Sequence, residues 1–466
     1  MSQGFQFDER LSALDQIMLR AESNPKTRNW VLSLVILESK PDVSRLLEQF
    51  ERASREFVRL RQRVATPATP LGYARWEADP TFRLEHHFQH IAMPRGSDFN
   101  DLLDMACRFI NKPGDLDRPL WEALLIDNVK HPAGKTAFMM RMHHAVADGM
   151  GAVQLFLSLF DTSADAPPRP FADLPEMNTR SWWQKATADV QDSIPDALKL
   201  GQTALHKALR HLKSPISQWR DDIEMASSIQ RLYGSKSTAG SPLLAERSLD
   251  RQFLAWDFPF PPFRQALKTL GWSVNDGYLT ALTIGLKRYH EALHCTIDAI
   301  PITIPVNVRH GGESEQTAGN HIAPVKLNLP TACDTPHDMA KAIGASVRAS
   351  LAEPALGVMN WLAPVIKGAP QFVLDKIADS LAEVDIQASN VPGYPFAPYL
   401  AGAKIARSYP FAPLPGVAIM AALYTQNDVA QMGIQLDRAS VEDPVRLQKC
   451  IQEGFAEIEA LASEQA

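Results

Sequence analysis

The chain has 466 residues, of which 45% are hydrophobic, and a formal net charge of −6 at pH 7. This length allows two domains with hydrophobic cores, and the acidic balance excludes a general attraction to nucleic acid or to anionic membranes. The four cysteines are widely separated and form no CxxC pair, which excludes a disulfide scaffold or a cysteine-ligated zinc site. We expect reduced thiols and a cytoplasmic protein, because the N-terminus lacks the apolar core of a signal peptide and no apolar run approaches ~20 residues.

Residues 1–165 alternate short apolar runs with helical patterns and predict a mixed α/β domain. The first apolar run predicts a strand at Trp30–Leu37, and the amphipathic pattern after it predicts a helix at Val43–Leu60. Two further strands are predicted at Trp121–Ile126 and at residues 136–142. The second of these leads directly into the most informative motif of the chain.

Residues 166–246 are predicted to form a helical connector, which begins in a stretch with several prolines. An apolar stripe at helical spacing within it consists of Leu205, Ala208, Leu209 and Leu212. The only full charges between Gly201 and Arg220 are positive, and they are Lys207, Arg210, Lys213 and Arg220. A basic amphipathic helix can lie on a lipid surface, or it can bridge two domains with its basic face in solvent. The residues leave both interpretations open.

Residues 247–466 are predicted to form a second α/β domain. Its predicted elements are, in chain order, a strand at Phe253–Trp256, a helix at Ser273–Leu293, strands at Ile300–Val308, His321–Leu329 and Val384–Ala388, and a hairpin of Val417–Tyr424 and Gln431–Leu436. The predicted fold class is therefore α/β, with two domains of mixed sheets flanked by helices and joined by a helical connector.

Residues 143–149 read HHAVADG, and they lie on a predicted turn between a strand and a helix. An imidazole takes up and returns a proton near neutral pH, so we assign His144 as the general base for a hydroxyl that attacks a thioester carbonyl. His143 is assigned a shaping or hydrogen-bonding role. No serine or cysteine nucleophile is implied, because the acceptor itself can attack the thioester.

Asp148 and Gly149 complete this motif. Asp148 could orient His144 directly, or it could pair with an arginine elsewhere and anchor the turn; we favour the second role because so glycine-rich a turn needs an anchor. Arg309, at the end of a predicted strand, is a candidate partner for Asp148, and it could also be a surface charge. The alternative for the histidines is structural, because a histidine at a strand end is often a buried core residue.

Two other patterns predict no site. Gly134-Lys135-Thr136 does not form a phosphate-binding loop, because Val129 stands where the first glycine of that loop is needed. His86, His87 and His90 have no evident companion ligands, so we predict a surface strand there and no metal site.

Five further motifs occur in order along nearly the whole chain. They are Leu11–Asp15, Pro119–Trp121, Asn275-Asp276, Pro305–Arg309 and Ser389–Gly393. Together with HHxxxDG, this set resembles the bacterial wax ester synthase/diacylglycerol acyltransferase family, which lies within the superfamily that includes chloramphenicol acetyltransferase. The chain departs from the family pattern at Asn307, where many members have serine, and at Gly277-Tyr278, where small β-branched residues are common.

The resemblance implies two chloramphenicol-acetyltransferase-like domains with the active site in a tunnel between them. It implies acyl-CoA as co-substrate, no resident cofactor, and diacylglycerol or a long-chain alcohol as acceptor, giving triacylglycerol or wax ester. By motif position His144 is the general base, with His143 and Asp148 as its structural partners. We expect substrate binding or active-site support from Asn275, Asp276, Arg309, Ser389 and Asn390.

These motifs also have structural interpretations. Asn275 and Asp276 suit the first turn of a helix, Ser389–Gly393 could be a turn after a strand, and Pro119–Trp121 favours packing over chemistry. Two rival functions are a condensation-type acyltransferase that takes its acyl group from a carrier protein, and an inactive lipid-binding protein of storage droplets. For the enzyme we expect a cytoplasmic location, with peripheral contact to the inner membrane face or to lipid droplets.

Overall fold

The structure is a computed structural model that describes residues 6–7, 9–69, 72–147, 149–174, 179–191, 227–228, 240–307, 317–318, 322–353, 384–394 and 396–464. The basic stripe predicted in the connector, with Lys207, Arg210, Lys213 and Arg220, lies outside the described residues. Asp148 and Arg309 lie outside them as well.

The N-terminal half alternates strands and helices, as its apolar periodicity predicts. In chain order it contains β1 (Gln6–Phe7), α1 (Ala13–Ala21), β2 (Trp30–Leu37), α2 (Val43–Glu56), β3 (Gln62–Ala65), β4 (Arg75–Ala78), β5 (Phe88–Ala92), α3 (Phe99–Asn111), β6 (Trp121–Asp127), β7 (Thr136–His143) and α4 (Gly149–Leu159). The helix predicted at Val43–Leu60 ends earlier, at Glu56, because Phe57 leaves the helical conformation and packs in the core. A short 3-10 helix follows at Val58–Arg61.

The C-terminal half confirms the predicted strands, helix and hairpin, with boundaries shifted by a few residues. It contains β8 (Arg251–Pro259), α5 (Phe260–Leu270), α6 (Val274–Ala292), β9 (Ala299–Asn307), β10 (Thr317–Ala318), β11 (Ile322–Pro330), α7 (Pro336–Leu351), β12 (Ile386–Pro392), β13 (Tyr399–Leu400), β14 (Ala403–Phe411), β15 (Ile419–Gln426), β16 (Val429–Asp437) and α8 (Pro444–Glu464). In the connector, residues 182–191 are helical.

Two six-stranded mixed sheets form the framework of the fold. The N-terminal sheet has the strand order β13-β14-β2-β7-β6-β5, and the C-terminal sheet has the order β11-β9-β12-β15-β16-β8. Each sheet contributes to its own large hydrophobic core, one around the strands β2, β6 and β7 and the other around β9, β12, β15 and β16. The predicted α/β class with helix-flanked mixed sheets is therefore confirmed.

Two strands of the N-terminal sheet, β13 and β14, come from the C-terminal part of the chain. β14 pairs antiparallel with β2, from Ile405 opposite Leu37 to Phe411 opposite Leu32. Residues 399–411 lie within the range 247–466 that we predicted as the C-terminal domain. Apolar periodicity does not reveal that a strand from the C-terminal part joins the N-terminal sheet, because the pattern of one strand does not specify which distant strand pairs with its edge.

β14 also joins the two sheets through polar contacts. On β14, Arg407 Nε donates to Asp257 Oδ2 at 2.7 Å, and the Tyr409 hydroxyl donates to Asp257 Oδ1 at 2.7 Å. Asp257 belongs to β8, at the edge of the C-terminal sheet. These bonds hold the two sheets side by side and leave their facing surfaces available to enclose a site.

Helices α6, α7 and α8 pack in the core on one face of the C-terminal sheet. α6 begins at a capping box formed by Ser273 and Asp276. α8 approaches α6 so closely that a Cβ atom at Gly285 would lie 2.5 Å from the Cα atom of Ile451. Because the helices occupy this face, the side chains that alternate with the core residues face the N-terminal half.

Candidate active site

β7 carries the chain into the HHxxxDG motif, and the whole strand Thr136–His143 is buried. Successive side chains of an extended chain point to opposite sides, so the two adjacent histidines cannot face the same way. His144 shares its side with Met140 and Met142, and these three residues line one cavity. His143 points to the other side and is fully buried. The sequence therefore assigns the two imidazoles to different environments.

The ring of His143 has a polar contact at each nitrogen. Its Nδ1 atom accepts the backbone N–H of Ala145 at 3.1 Å, and its Nε2 atom lies 3.3 Å from Oε1 of Glu22. Since Nδ1 accepts, a neutral ring carries its proton on Nε2, facing the carboxylate. The edge of the Trp30 ring packs against the imidazole at a centroid distance of 5.6 Å. These contacts hold His143 in a single orientation.

Glu22 binds the start of β2 as well as His143. Its carboxylate accepts the backbone N–H of Asn29 at 2.7 Å and Nε1–H of Trp30 at 3.0 Å. Burial raises the pKa of Glu22, but the adjacent His143 imidazole, together with the hydrogen-bond donors of Asn29 and Trp30, outweighs burial and holds this pKa below its usual value. The buried carboxylate is therefore charged at neutral pH and joins α1, β2 and β7.

Backbone hydrogen bonds fix the turn that follows β7. The N–H of His143 donates to the carbonyl oxygen of Leu120 at 3.0 Å, and the N–H of His144 donates to that of Asn29 at 2.8 Å. The N–H of Val146 then donates to the carbonyl oxygen of His143 at 2.9 Å. Neighbouring strands thus fix the backbone at His144, which leaves its half-buried side chain directed to the cavity.

The cavity has a volume of about 370 Å³ and lies between the two sheets. Both halves of the chain line it, and most of the lining side chains are apolar. The apolar residues from the N-terminal half include Leu14, Ile17, Met18, Val31, Leu32, Met140, Met142, Val153 and Phe156, and those from the C-terminal half include Pro305, Pro324, Val391, Pro410, Phe411, Met420 and Ala422. Such a cavity suits a hydrocarbon chain, and the His144 side chain lies in its wall.

The other predicted site residues lie in different places. Ser389 on β12 lines the cavity, whereas Asn390 points to the opposite side of that strand.

Asn275 is exposed in the first turn of α6. Asp276 accepts the Ser273 hydroxyl at 2.6 Å as part of the capping box, and neither Asn275 nor Asp276 lines the cavity. Gly149 begins α4, while Asp148 and Arg309 lie outside the described residues.

Trp121, from the motif Pro119–Trp121, is packed inside the N-terminal core. Its indole Nε1–H donates to the carbonyl oxygen of Leu60 at 2.9 Å, and its ring stacks on those of Phe50 and His87 at 5.4 and 4.7 Å. Burial lowers the pKa of His87, whose Nδ1 atom lies 2.8 Å from the Trp121 carbonyl oxygen.

Within the described ranges, no three His, Cys, Asp or Glu side chains are grouped so as to hold a metal ion.

Three residues of the site were missed from sequence. Glu22 caps the C-terminal end of α1, and a carboxylate at that unfavourable end of the helix dipole is the signal that could have revealed it. The Tyr394 hydroxyl donates to the carbonyl oxygen of Val153 at 2.8 Å, and its ring lines the cavity next to the Ser389–Gly393 motif. Thr303 also lines the cavity, and it interrupts the apolar run of residues 299–306 in its strand.

None of the helices described has the length and apolar character needed to cross a membrane.

Two family models match the chain. The wax ester synthase/diacylglycerol acyltransferase catalytic domain matches residues 11–278, and the WS/DGAT C-terminal domain matches residues 318–459. A putative diacylglycerol O-acyltransferase of Mycobacterium tuberculosis is 36% identical over 461 residues, which cover 97% of this chain and 92% of that protein.

Solved structures share the fold. The wax ester synthase/diacylglycerol acyltransferase from Marinobacter aquaeolei VT8 matches with a TM-score of 0.65 and 21% identity, covering 97% of this chain and 100% of that chain. The starter condensation domain of rhizomide synthetase matches with a TM-score of 0.58 and 14% identity, covering 98% and 94%. Both likenesses place the chain among two-domain folds of the chloramphenicol acetyltransferase type. With both family models matched in order, the chain belongs to the wax ester synthase/diacylglycerol acyltransferase family and is an acyltransferase.

Proposed function

We propose that this acyltransferase moves a long acyl chain from acyl-CoA to the hydroxyl of diacylglycerol or of a long-chain alcohol, giving triacylglycerol or wax ester. The observation that carries the proposal is the position of His144 in the wall of an apolar cavity between the two sheets. The name of the Mycobacterium tuberculosis relative supports diacylglycerol as acceptor, and the name of the Marinobacter protein includes both wax ester synthase and diacylglycerol acyltransferase.

In the proposed step, His144 acts as general base. Its imidazole takes the proton of the acceptor hydroxyl as that oxygen attacks the thioester carbonyl carbon. The tetrahedral intermediate then collapses, the C–S bond breaks, and the CoA sulfur leaves with the proton that the imidazole returns. One C–O bond replaces one C–S bond, and the hydroxyl proton ends on the CoA thiol. The step therefore needs acyl-CoA as co-substrate and no resident cofactor.

His143 and Glu22 act as positioning residues in this proposal. His143 accepts the N–H of Ala145 and faces the buried Glu22 carboxylate, so its ring ties down the turn that presents His144. Asp148 keeps its predicted role as anchor of the same turn, with Arg309 as candidate partner. Ser389 supports the site from the opposite wall of the cavity.

Peripheral association with a lipid surface is the remaining part of the proposal, and the helix at 182–191 supports it. Its polar side chains bind the protein, since Lys185 pairs with Glu77 at 3.1 Å and Asp189 accepts the backbone N–H of Thr69 at 2.9 Å. Its aromatic side chains face solvent, with Trp182 57% and Trp183 74% exposed. Exposed tryptophans at a helix surface suit the boundary between water and lipid.

The direct test is an assay of purified protein with palmitoyl-CoA and either 1,2-diolein or hexadecanol. We expect triacylglycerol or wax ester with wild-type protein and almost none with His144→Ala. Product from a carrier-bound acyl group, with none from palmitoyl-CoA, would instead assign the condensation-type reaction. Binding of diolein without any turnover would assign a lipid-binding protein.

Lipid association is tested separately by sedimentation with phosphatidylcholine vesicles. Trp182→Ser/Trp183→Ser should lower the bound fraction, whereas Leu249→Ser, which changes another exposed apolar side chain (57% exposed), should not. Equal sedimentation of all three proteins would contradict the role of this helix.

A further inference from the structure

Thr303 is a buried polar residue in the wall of the cavity. On β9, Ile302 and Ile304 pack in the helix-covered core, so Thr303 between them points to the opposite face. There it lines the cavity with only 9% of its surface exposed. Its Oγ1 atom is buried and has no hydrogen-bond partner within the part of the chain that the structure describes.

A buried hydroxyl without a partner is unusual in a folded protein, because it has lost its bonds to water and gained none. Valine has nearly the same shape as threonine, favours strands equally well, and would avoid this loss. The apolar neighbours of Thr303 on β9 show that the strand itself accepts such residues. A ligand atom that enters the cavity would supply the missing partner of this hydroxyl.

Two other hydrogen-bonding side chains stand beside Thr303. Lys326 on β11 and Gln387 on β12 are its directly paired neighbours in the sheet, and all three residues line the cavity. Neighbouring strands are about 4.8 Å apart, so the three side chains form one continuous polar row. The surrounding wall is mostly apolar: Pro305 and Pro324 are the next wall residues along β9 and β11, while Ser389 and then Val391 follow Gln387 along β12.

The chemistry of this row selects the kind of group it can bind. The hydroxyl, the amide NH₂ and the ammonium all donate hydrogen bonds. A hydrocarbon chain gains nothing from donors, and the reacting hydroxyl of the acceptor needs a proton acceptor such as His144. A carbonyl oxygen is uncharged, accepts hydrogen bonds, and is compatible with an otherwise apolar wall.

We propose that Thr303, flanked by Lys326 and Gln387, binds a carbonyl oxygen of one of the two substrates. This carbonyl group is not the one that reacts. This inference rests on the proposed function, which supplies two sources of such a group. One source is an ester carbonyl of diacylglycerol, and the other is an amide carbonyl in the pantetheine arm of acyl-CoA. A long-chain alcohol has no carbonyl, so the choice of acceptor separates the two sources.

The experiment compares Thr303→Val, which removes only the hydroxyl, with Thr303→Ser, which keeps it. kcat and KM are measured for palmitoyl-CoA and for each acceptor, 1,2-diolein and hexadecanol. Loss of one hydrogen bond predicts a fall in kcat/KM of roughly 3- to 10-fold for Thr303→Val, with Thr303→Ser close to wild type. A loss confined to diolein identifies the ester carbonyl. A loss with both acceptors, with a raised KM for palmitoyl-CoA, identifies the pantetheine amide.

Thr283→Val is the matched control, because Thr283 is buried in α6, away from the cavity wall, and its hydroxyl donates to the carbonyl oxygen of Leu279. This variant should leave the kinetics with both acceptors unchanged. Thr303→Val should also melt no lower than wild type, since it removes an unpaired hydroxyl. A lower melting temperature together with lower activity would indicate a structural role and overturn the proposal, as would wild-type kinetics in Thr303→Val.

Failure of the proposed function is distinguishable from failure of this inference. If wild-type protein transfers no acyl group to either acceptor, the reaction is wrong, and the subsite is then judged by equilibrium binding of palmitoyl-CoA and of diolein. Weaker binding of one ligand by Thr303→Val, restored in Thr303→Ser, supports the carbonyl subsite. Equal binding by both variants and wild type, or no binding at all, overturns it.

Discussion

The Nε2 atom of His143 lies 3.3 Å from the Oε1 atom of Glu22, where the end of β7 meets the end of α1. The same helix supplies Leu14, Ile17 and Met18 to the cavity wall. A ligand that displaces α1 would therefore act on the turn that holds His144. Glu22 and His143 connect the shape of the apolar cavity with the position of the proposed base.

Substitution of His144 should mainly lower activity, whereas substitution of His143 should mainly lower stability. We expect His144→Ala to lower kcat by ~10²–10⁴-fold, as loss of a general base does, with little change in melting temperature because the side chain is half-buried. His143→Ala should lose less activity but melt earlier, since its ring is fully buried and bonded. Assays and thermal melts of both purified variants test this division. Equal losses of activity at unchanged stability would contradict it.

Glu22→Gln should destabilise the protein in a pH-dependent way. At pH 7 the loss of a charged acceptor for Asn29 and Trp30 should cost about 1.5–3 kcal/mol. Because the pKa of Glu22 is lower in the folded protein than its usual 4.5, this stabilisation is complete above pH 4.5 and is lost as the pH falls through the folded value. Urea unfolding at pH 7 and in steps below pH 4.5 measures the difference.

Glu38→Gln is the control for that series, since Glu38 forms a surface pair with Lys404 and is 47% exposed. Its effect should stay within about 1 kcal/mol at every pH. A gap between wild type and Glu22→Gln that stays constant down to acidic pH would show that the carboxylate charge is not what stabilises this contact.

The kinetics should show both substrates bound together. Direct attack by the acceptor requires a ternary complex, so initial-rate plots should intersect and no acyl-enzyme should form. The cysteines Cys107, Cys295, Cys333 and Cys450 do not line the cavity, which agrees with this expectation. Incubation with labelled palmitoyl-CoA alone, followed by mass spectrometry, should leave the protein unmodified. A stable acylated protein or parallel-line kinetics would refute direct attack.

Gly433→Ala should disturb the junction between the two sheets. A Cβ atom at Gly433 would lie 1.9 Å from the carbonyl oxygen of Pro410, where β16 passes β14. We expect a loss of about 1–3 kcal/mol or more, because backbone must move on both sides. Gly344→Ala in α7 is the control, since its neighbours are the side-chain ends of Arg348 and Asp276 and alanine favours a helix by about 0.5–1 kcal/mol. Comparable melting temperatures for both variants would contradict this prediction.

Local pattern was sufficient for much of the fold and for part of the site. The apolar runs predicted β2 with its observed bounds and β7 to within one residue. Alternation along β7 and into the next residue explains why His144, and not His143, reaches the cavity. Asn275 and Asp276, expected from the resemblance as active-site support, lie in the first turn of α6 instead of the cavity wall. That position agrees with the structural interpretation of the same two residues.

The remaining parts depend on contacts between distant positions. Glu22 contacts His143 only after α1 and β7 have packed together, and the periodicity of neither segment predicts this contact. Thr303 was missed because a threonine in a strand is ordinary until its unpaired hydroxyl is seen beside a cavity. Asp148, Arg309 and the basic stripe of the connector stay predictions.

The pairing of β14 with β2 has a consequence for folding during synthesis. Lys404 and Glu38, which pair across β14 and β2, are 366 positions apart. During synthesis the open edge of β2 must therefore wait for nearly the whole chain to leave the ribosome before β14 can cover it, and unpaired edges of this kind favour aggregation. A gene fragment ending before residue 399 would yield the HHxxxDG segment without β13 and β14, the two strands that complete its sheet. Expression of the two halves as separate polypeptides should succeed only when both are produced together.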